Sequence, residues 1–108
     1  MAFDVLLTDD ALHDLRELNA YLVAEEGPEK AAHVLNKIEA VTRKLQDLPE
    51  RGHHPSELAS LGIKDYREVF FKPYRIIYRV IARRVYVYVI ADGRRDMQAL
   101  LARRLLRP

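Results

Sequence analysis

The residues best suited to chemistry cluster in "YRIIYRVIARRVYVYVIADGRRDM", residues 74–97, which carries Arg75, Arg79, Arg94 and Arg95 with Tyr86 and Tyr88 between them. A guanidinium binds a phosphate oxygen pair bidentately, and a phenol ring stacks on a base, so arginine interleaved with tyrosine can hold a nucleic acid or an acidic peptide. The same residues also serve as ordinary solvent-facing strand positions whose long stems cover neighbouring apolar side chains. Other chemistries are poorly represented. His53 and His54 are adjacent, but His13 and His33 lie on other elements and cysteine is absent, so four convergent metal ligands are not expected. "ADGRRD" has one glycine and lacks the spacing of a phosphate-cradling loop. Glu68, Asp92 and the four histidines are the acid–base candidates, and a carboxylate between arginines more often forms an ion pair.

To present these side chains the segment must be a hairpin. Residues 66–71, 74–82 and 85–91 are rich in β-branched and aromatic residues and predict an antiparallel three-stranded meander. Alternation puts Tyr74, Ile76, Tyr78 and Val80 on one face, and Arg75, Ile77, Arg79 and Ile81 on the other. Pairing Ala82 with Val85 sets Arg79 opposite Tyr88 and Ile77 opposite Ile90. Val85, Val87, Val89 and Ala91 then fall on the core face. The expected open face is Arg75, Ile77, Arg79, Tyr86, Tyr88 and Ile90. An Arg83–Arg84 turn is poor type I′ chemistry, which leaves the register open to a one-residue slip.

The elements before the meander must supply its cover. "FDVLL" (3–7) predicts a short strand, and Thr8 is a suitable N-cap with Asp9 and Asp10 in the following first turn. Ala11, Leu15, Leu18 and Leu22 recur at helical spacing, widened by Leu12 and Tyr21. Gly27 suits the end of that helix and Pro28 the start of the next. Ala31, Val34, Leu35, Ile38, Val41, Leu45 and Leu48 form the second stripe, closed by Pro49. The two helices should pack as an antiparallel hairpin. Residues 49–65 are a polar connector with a turn of helix near 56–61. A last helix starting near Asp92–Gly93 uses Met97, Leu100, Leu101 and Leu105.

Composition bounds the rest. The chain has 108 residues and a net charge of +2, and no apolar run reaches the roughly 20 residues of a membrane helix. The first residues lack the basic start of a signal peptide, and the absence of cysteine points to the cytoplasm. Residues 1–65 hold 7 Lys/Arg against 13 Asp/Glu, and residues 66–108 hold 11 against 3. That asymmetry implies either a partner that sees the basic half or two halves that neutralise each other internally.

The element order and the motifs "EL..LG..DYREV" (57–69), "YRIIYRV" (74–80) and "VIADGRRDM" (89–97) resemble the RelE/ParE superfamily of type II toxin–antitoxin toxins, as does "DALHDLRELNAYL" in the first helix. The resemblance implies one α+β domain over residues 1–108. It would comprise an N-terminal strand, a helix hairpin packed on a small mainly antiparallel sheet, and a short C-terminal helix. It implies no cofactor and no metal. RelE-like members cut messenger RNA in the ribosomal A site, the RNA 2′-hydroxyl attacking while basic side chains stabilise the phosphate. Arg75 and Arg95 match two arginines of that catalytic surface. Where that branch carries lysines on the second strand, this sequence has Arg67 and Glu68. Where it places a proton-transferring tyrosine after the last strand, this sequence has Leu100 and Leu101, which cannot move a proton. Glu68 or Tyr86 would then have to serve.

ParE-like members lack that set and act on DNA gyrase, which makes them the favoured branch. In both branches a cognate antitoxin lies across the toxin and forms a hetero-oligomer with it; a non-toxic antitoxin-binding module is a third reading. The surface expected to meet target or antitoxin is Arg75, Arg79, Tyr86, Tyr88, Arg94, Arg95, Leu101, Arg103 and Arg104.

Overall fold

The computed structural model describes residues 2–106; Met1, Arg107 and Pro108, part of the expected 1–108 domain, lie outside the described residues. Strand β1 (Asp4–Leu7) leads through Thr8 into α1 (Asp9–Glu26). Thr8 Oγ1 accepts the Ala11 N–H at 3.1 Å, and Asp9 and Asp10 occupy the first turn, where the free N–H groups favour negative charge. Gly27 ends α1 at φ +93°, a backbone geometry that a side chain disfavours, and Pro28 opens α2 (Pro28–Arg43) at a position that needs no N–H.

The helix pair buries Ala11 and Leu22 from α1 and Ala31, Val34 and Ile38 from α2. Two expected members of the first stripe and one of the second depart from it. Leu12 and Tyr21, which flank the α1 stripe, are exposed. After Arg43 the chain tightens into a 3₁₀ turn (Lys44–Gln46), which buries Leu45 but rotates Leu48 into solvent at 59% exposure.

Beyond the connector, with its single helical turn α3 (Ser56–Ala59), come β2 (Arg67–Phe71), β3 (Tyr74–Ile81), β4 (Arg84–Asp92) and α4 (Met97–Leu105). The sheet order is β1-β4-β3-β2; β1 runs parallel to β4 and the other neighbours are antiparallel. A parallel partner cannot be reached by a tight turn, so the helix hairpin and two strands intervene between β1 and β4. The last helix starts later than expected. Asp92 completes β4, and Asp96 caps α4 by accepting the Ala99 N–H at 3.1 Å.

The β3–β4 register departs from expectation in two ways. The turn lies one residue earlier, at Ala82–Arg83, so Ile81 pairs with Arg84 and Arg79 with Tyr86. Ala82 takes φ +56°, the left-handed geometry of a tight hairpin turn. Moving both partners by one residue leaves the faces unchanged. The second departure does not. Tyr78 pairs with Val87 and Ile77 with Val89, so Tyr88 is an extra, bulged residue. Past that bulge the alternation inverts. Ile90 joins Tyr78, Ile76, Val85 and Val87 in the core beneath the helix pair. Val89 and Ala91 turn to the other face and join Ile77.

That other face is not the open platform expected. Leu58 from α3 and Met97, Leu100 and Leu101 from α4 close over Ile77 and Val89 in a second apolar cluster. One sheet therefore separates two cores, with the arginine side of β3 beneath α3 and α4.

Candidate functional site

Arg75 sits on this second face opposite Phe70 of β2 and Ala91 of β4. Only 12% of its side chain is exposed. Its two terminal nitrogens donate to the two carboxylate oxygens of Glu57 at 2.8 and 2.7 Å, and its Nε donates to Glu68 at 2.7 Å. The fork geometry of guanidinium on carboxylate explains why the α3 turn sits where it does: Ser56–Ala59 lays Glu57 over the sheet while Leu58 beside it enters the second core. Gly93 closes the stem. A Cβ there would lie 2.8 Å from Arg75 Cδ, so only glycine lets the chain pass so near.

The trio carries one positive and two negative charges, so it presents no net cation to a phosphate. Hydrogen bonding from Arg75 holds the Glu57 carboxyl below its ordinary range, against the opposing effect of burial. The same bond raises the Arg75 guanidinium further above its already high value. Because the folded Glu57 value lies below the unfolded one, the stability from this pair is present above the ordinary value of 4.5 and is lost as pH falls through the folded value. Denaturant midpoints should therefore fall as the solution is acidified below that range, and Glu57→Gln should flatten this acid limb.

The other expected surface residues divide into paired, buried and free. Arg104 donates to Asp14 of α1 and, at 3.3 Å, to the Tyr88 carbonyl. Asp14 also accepts the Ile90 N–H at 3.0 Å. This pair seals the edge of β4 beyond the point where β1 ends, so Arg104 is an internal tie rather than a contact surface. Leu101 is fully buried in the second core and cannot touch a partner, and Leu100 is buried beside it. Both fill α4's apolar side, as its helical spacing requires. Arg94 is exposed but closes on Asp92 through Nε at 2.9 Å and a terminal nitrogen at 2.5 Å, which depresses the Asp92 carboxyl.

Arg79 is partly exposed, 3.4 Å from Asp65, with its guanidinium 5.8 Å from the Tyr66 ring centre. Tyr66 meets Tyr88 edge-on at 5.5 Å, and Tyr86 is half-buried opposite Arg79. Arg95 and Arg103 are exposed, and neither side chain has a partner among the described residues. The expected set therefore does not form one cationic surface. Arg79, Tyr86 and Tyr88 come together, Arg95 and Arg103 stand free, and Arg75, Arg104 and Leu101 are withdrawn.

His53 packs at a tilt against Phe70 with ring centres 5.4 Å apart, and His54 Nδ1 lies 3.0 Å from the Tyr66 carbonyl oxygen. Among the described residues no group of three or more potential ligands is arranged to hold a metal, and no helix is long and apolar enough to cross a membrane. Glu57 and Asp14 were not singled out from sequence, since each reads as one more charge on a helix. The signal available for Asp14 was its place on the α1 stripe, three residues after Ala11 and four before Leu18.

An apolar groove runs between α1, α2 and the end of β1, lined by Leu7, Leu15, Leu35 and Ile38. It lies on the opposite side of the sheet from Arg75.

Known proteins share this fold. The structure is similar to a chain of the chromosomal ParDE toxin–antitoxin system from P. aeruginosa, with a TM-score of 0.71 at 23% identity over 84% of this chain and 96% of that one. It is also similar to the RelBE2 toxin–antitoxin complex of Mycobacterium tuberculosis, with a TM-score of 0.58 at 20% identity over 85% and 92% of the chains. A free Escherichia coli RelE carrying two arginine substitutions gives 0.56 at 16% identity over 93% of both. In sequence, Toxin ParE3 of Caulobacter vibrioides is 28% identical over 100 residues, covering 93% of this chain and 96% of that protein. The family model for the ParE toxin of type II toxin–antitoxin systems, parDE, matches residues 5–97. With the match running from β1 to the first residue of α4, the chain belongs to the ParE toxin family of type II toxin–antitoxin systems.

Proposed function

We propose that this toxin arrests growth by binding DNA gyrase and stalling it on cleaved DNA, without catalysis of its own, and that a cognate antitoxin neutralises it. The observation that carries the reading is the state of Arg75. A ribosome-dependent endonuclease would need that guanidinium on the scissile phosphate, yet three of its nitrogens are committed to Glu57 and Glu68. Freeing it would expose two carboxylates that repel the same phosphate. Leu100 and Leu101 add nothing to proton transfer, being packed in the second core. A protein target asks only for surface, and Arg79, Tyr86, Tyr88, Arg95 and Arg103 supply it.

An antitoxin partner is supported by the family and by the two structural neighbours solved from ParDE and RelBE systems. The groove of Leu7, Leu15, Leu35 and Ile38 suits the apolar face of an amphipathic helix, which would make the toxin one half of a hetero-oligomer. The test is a supercoiling assay with purified gyrase and a few-fold excess of this protein. Loss of supercoiling with accumulation of cleaved DNA is expected, reversed by the protein of the adjacent reading frame. Unaffected gyrase together with codon-phased cuts in a translated message would overturn the proposal in favour of the endonuclease.

A further inference from the structure

A second concavity lies away from the Arg75 trio, between α1 and the end of β4, with a volume of about 400 Å³. One wall is α1, where Glu17 and Tyr21 share a face at four-residue spacing and Glu26, the last residue of the helix, also lines the cleft. The other wall is Tyr74 and the Asp92–Arg94 pair.

Tyr74 singles the cleft out. It is 8% exposed, its ring belongs to the core beneath the helix pair, and its hydroxyl makes no hydrogen bond to any described residue. No fully buried polar side-chain atom among the described residues lacks a partner, so this hydroxyl keeps its contact with solvent, and it does so in the cleft it lines. A phenol buried nearly to its tip and open only toward the cleft offers its hydroxyl to whatever enters there, water or ligand. Tyr21, by contrast, is 63% exposed and lines the same cleft.

The charge around Tyr74 indicates the sign of the occupant. Asp92 is matched by Arg94, leaving Glu17 and Glu26 with only exposed, loosely held partners, His13 at 3.4 Å and Lys30 at 3.8 Å. Exposed pairs of this kind bind weakly and yield readily. Burial raises the Tyr74 phenol, and Asp92 and Glu26 raise it further against the opposing pull of Arg94. The field at the hydroxyl is therefore negative. Arg95 also lines the cleft; its side chain makes no hydrogen bond or ion pair with a described residue and acts on Asp92 only through space.

We infer that this cleft receives an arginine side chain presented by a docking polypeptide, its guanidinium lying against Tyr21 and donating to Glu26 and to the Tyr74 hydroxyl. Carboxylates give the charge-assisted bonds, and a tyrosine face adds cation–π attraction. A planar, weakly hydrated guanidinium suits such a site better than a lysine ammonium. The inference deepens the antitoxin reading, resting on it only for the identity of the polypeptide.

The experiment needs neither gyrase nor antitoxin, so its failure is separable from failure of that reading. The full-length protein is titrated with N-acetyl-argininamide and followed by the amide and tyrosine-ring NMR shifts of Tyr21, Tyr74 and Asp92. Saturable shifts confined to the cleft are expected, with a Kd on the order of a few mM for so small a probe. N-acetyl-citrullinamide, the uncharged analogue, should leave them unmoved. Tyr74→Phe and Glu26→Gln should each weaken binding several-fold while the rest of the spectrum stays in place. Equal response to the citrulline compound, no saturable shift, or unchanged affinity in both variants would overturn the inference. So would tighter binding of inorganic phosphate, which would make the cleft an anion site built on Arg95.

Discussion

Arg75→Met is expected to destabilise the protein by about 3–5 kcal/mol, the usual consequence of removing one partner from a buried ionic network. The loss arises less from the bonds removed than from the charges left behind. Glu68 is 6% exposed at its side chain and Glu57 20%, and without the guanidinium neither carboxylate has water or a cation enough to replace it. The variant should also reverse the acid behaviour of the native chain. An unpaired buried carboxylate titrates higher when folded than unfolded, so its penalty is relieved as pH falls through that raised value. Urea midpoints across pH would show the variant gaining stability on acidification where the native protein loses it. Adding Glu57→Gln and Glu68→Gln to Arg75→Met should recover part of the deficit at neutral pH. A loss below about 1 kcal/mol would mean that the trio is well solvated and that its arginine is available to a ligand after all.

This result bears on how a toxicity assay is to be interpreted. Loss of toxicity in an Arg75 variant would ordinarily be credited to a lost contact with target or RNA. With Arg75 bridging α3 and β2 across the sheet, the same phenotype follows from a loosened second face. Arg95 and Arg103 are the cleaner probes, because their side chains are exposed and unpaired among the described residues.

The sequence made the helix hairpin legible because its signals are local: a threonine cap, a Gly–Pro junction, and stripes of period 3.6. The strands were legible for the same reason. What escaped was the bulge at Tyr88, since one extra residue leaves composition and spacing intact while exchanging the faces of Val89, Ile90 and Ala91. The apparent arginine platform failed for a related reason. Alternation correctly placed Arg75 and Arg79 together, but nothing local in the chain says that α3 and α4 fold back over that face.

The charge asymmetry had two interpretations, and the structure divides them. Asp14 with Arg104, Glu57 with Arg75, and Asp65 with Arg79 are all pairs between the acidic first part and the basic second. Much of the imbalance is therefore neutralised inside the molecule. Exposed cations of the second part, among them Lys72, Arg95 and Arg103, remain for a partner to see.

Gly52→Ala is the second substitution expected to be costly, at about 2–6 kcal/mol. Nothing in the sequence marks this glycine, and its backbone is not in the left-handed region. The constraint is space. A Cβ would lie 2.5 Å from the Glu68 carbonyl oxygen and 2.7 Å from the Tyr78 hydroxyl. Neither neighbour can give way easily. Glu68 is held in β2, where its N–H donates to the His53 carbonyl at 2.7 Å, and its side chain belongs to the Arg75 trio. Tyr78 is fully buried and accepts the Gly52 N–H at 3.0 Å. Overpacking alone costs about 1–3 kcal/mol, and separating that N–H from the phenol leaves buried polar groups unpaired at about 1–3 kcal/mol more.

Tyr78→Phe isolates the second contribution, since it removes the acceptor without adding bulk. Combining it with Gly52→Ala should cost less than the two losses added together, because the clash with the hydroxyl and the broken bond then vanish in one step. Urea unfolding of the three variants gives the coupling directly, with unchanged slopes confirming that only stability has moved. Strict additivity would place the strain wholly at the Glu68 backbone. A Gly52→Ala protein within about 0.5 kcal/mol of the native one would show that the connector shifts aside, and with it the ground for treating α3 and its glutamate as a fixed lid on Arg75.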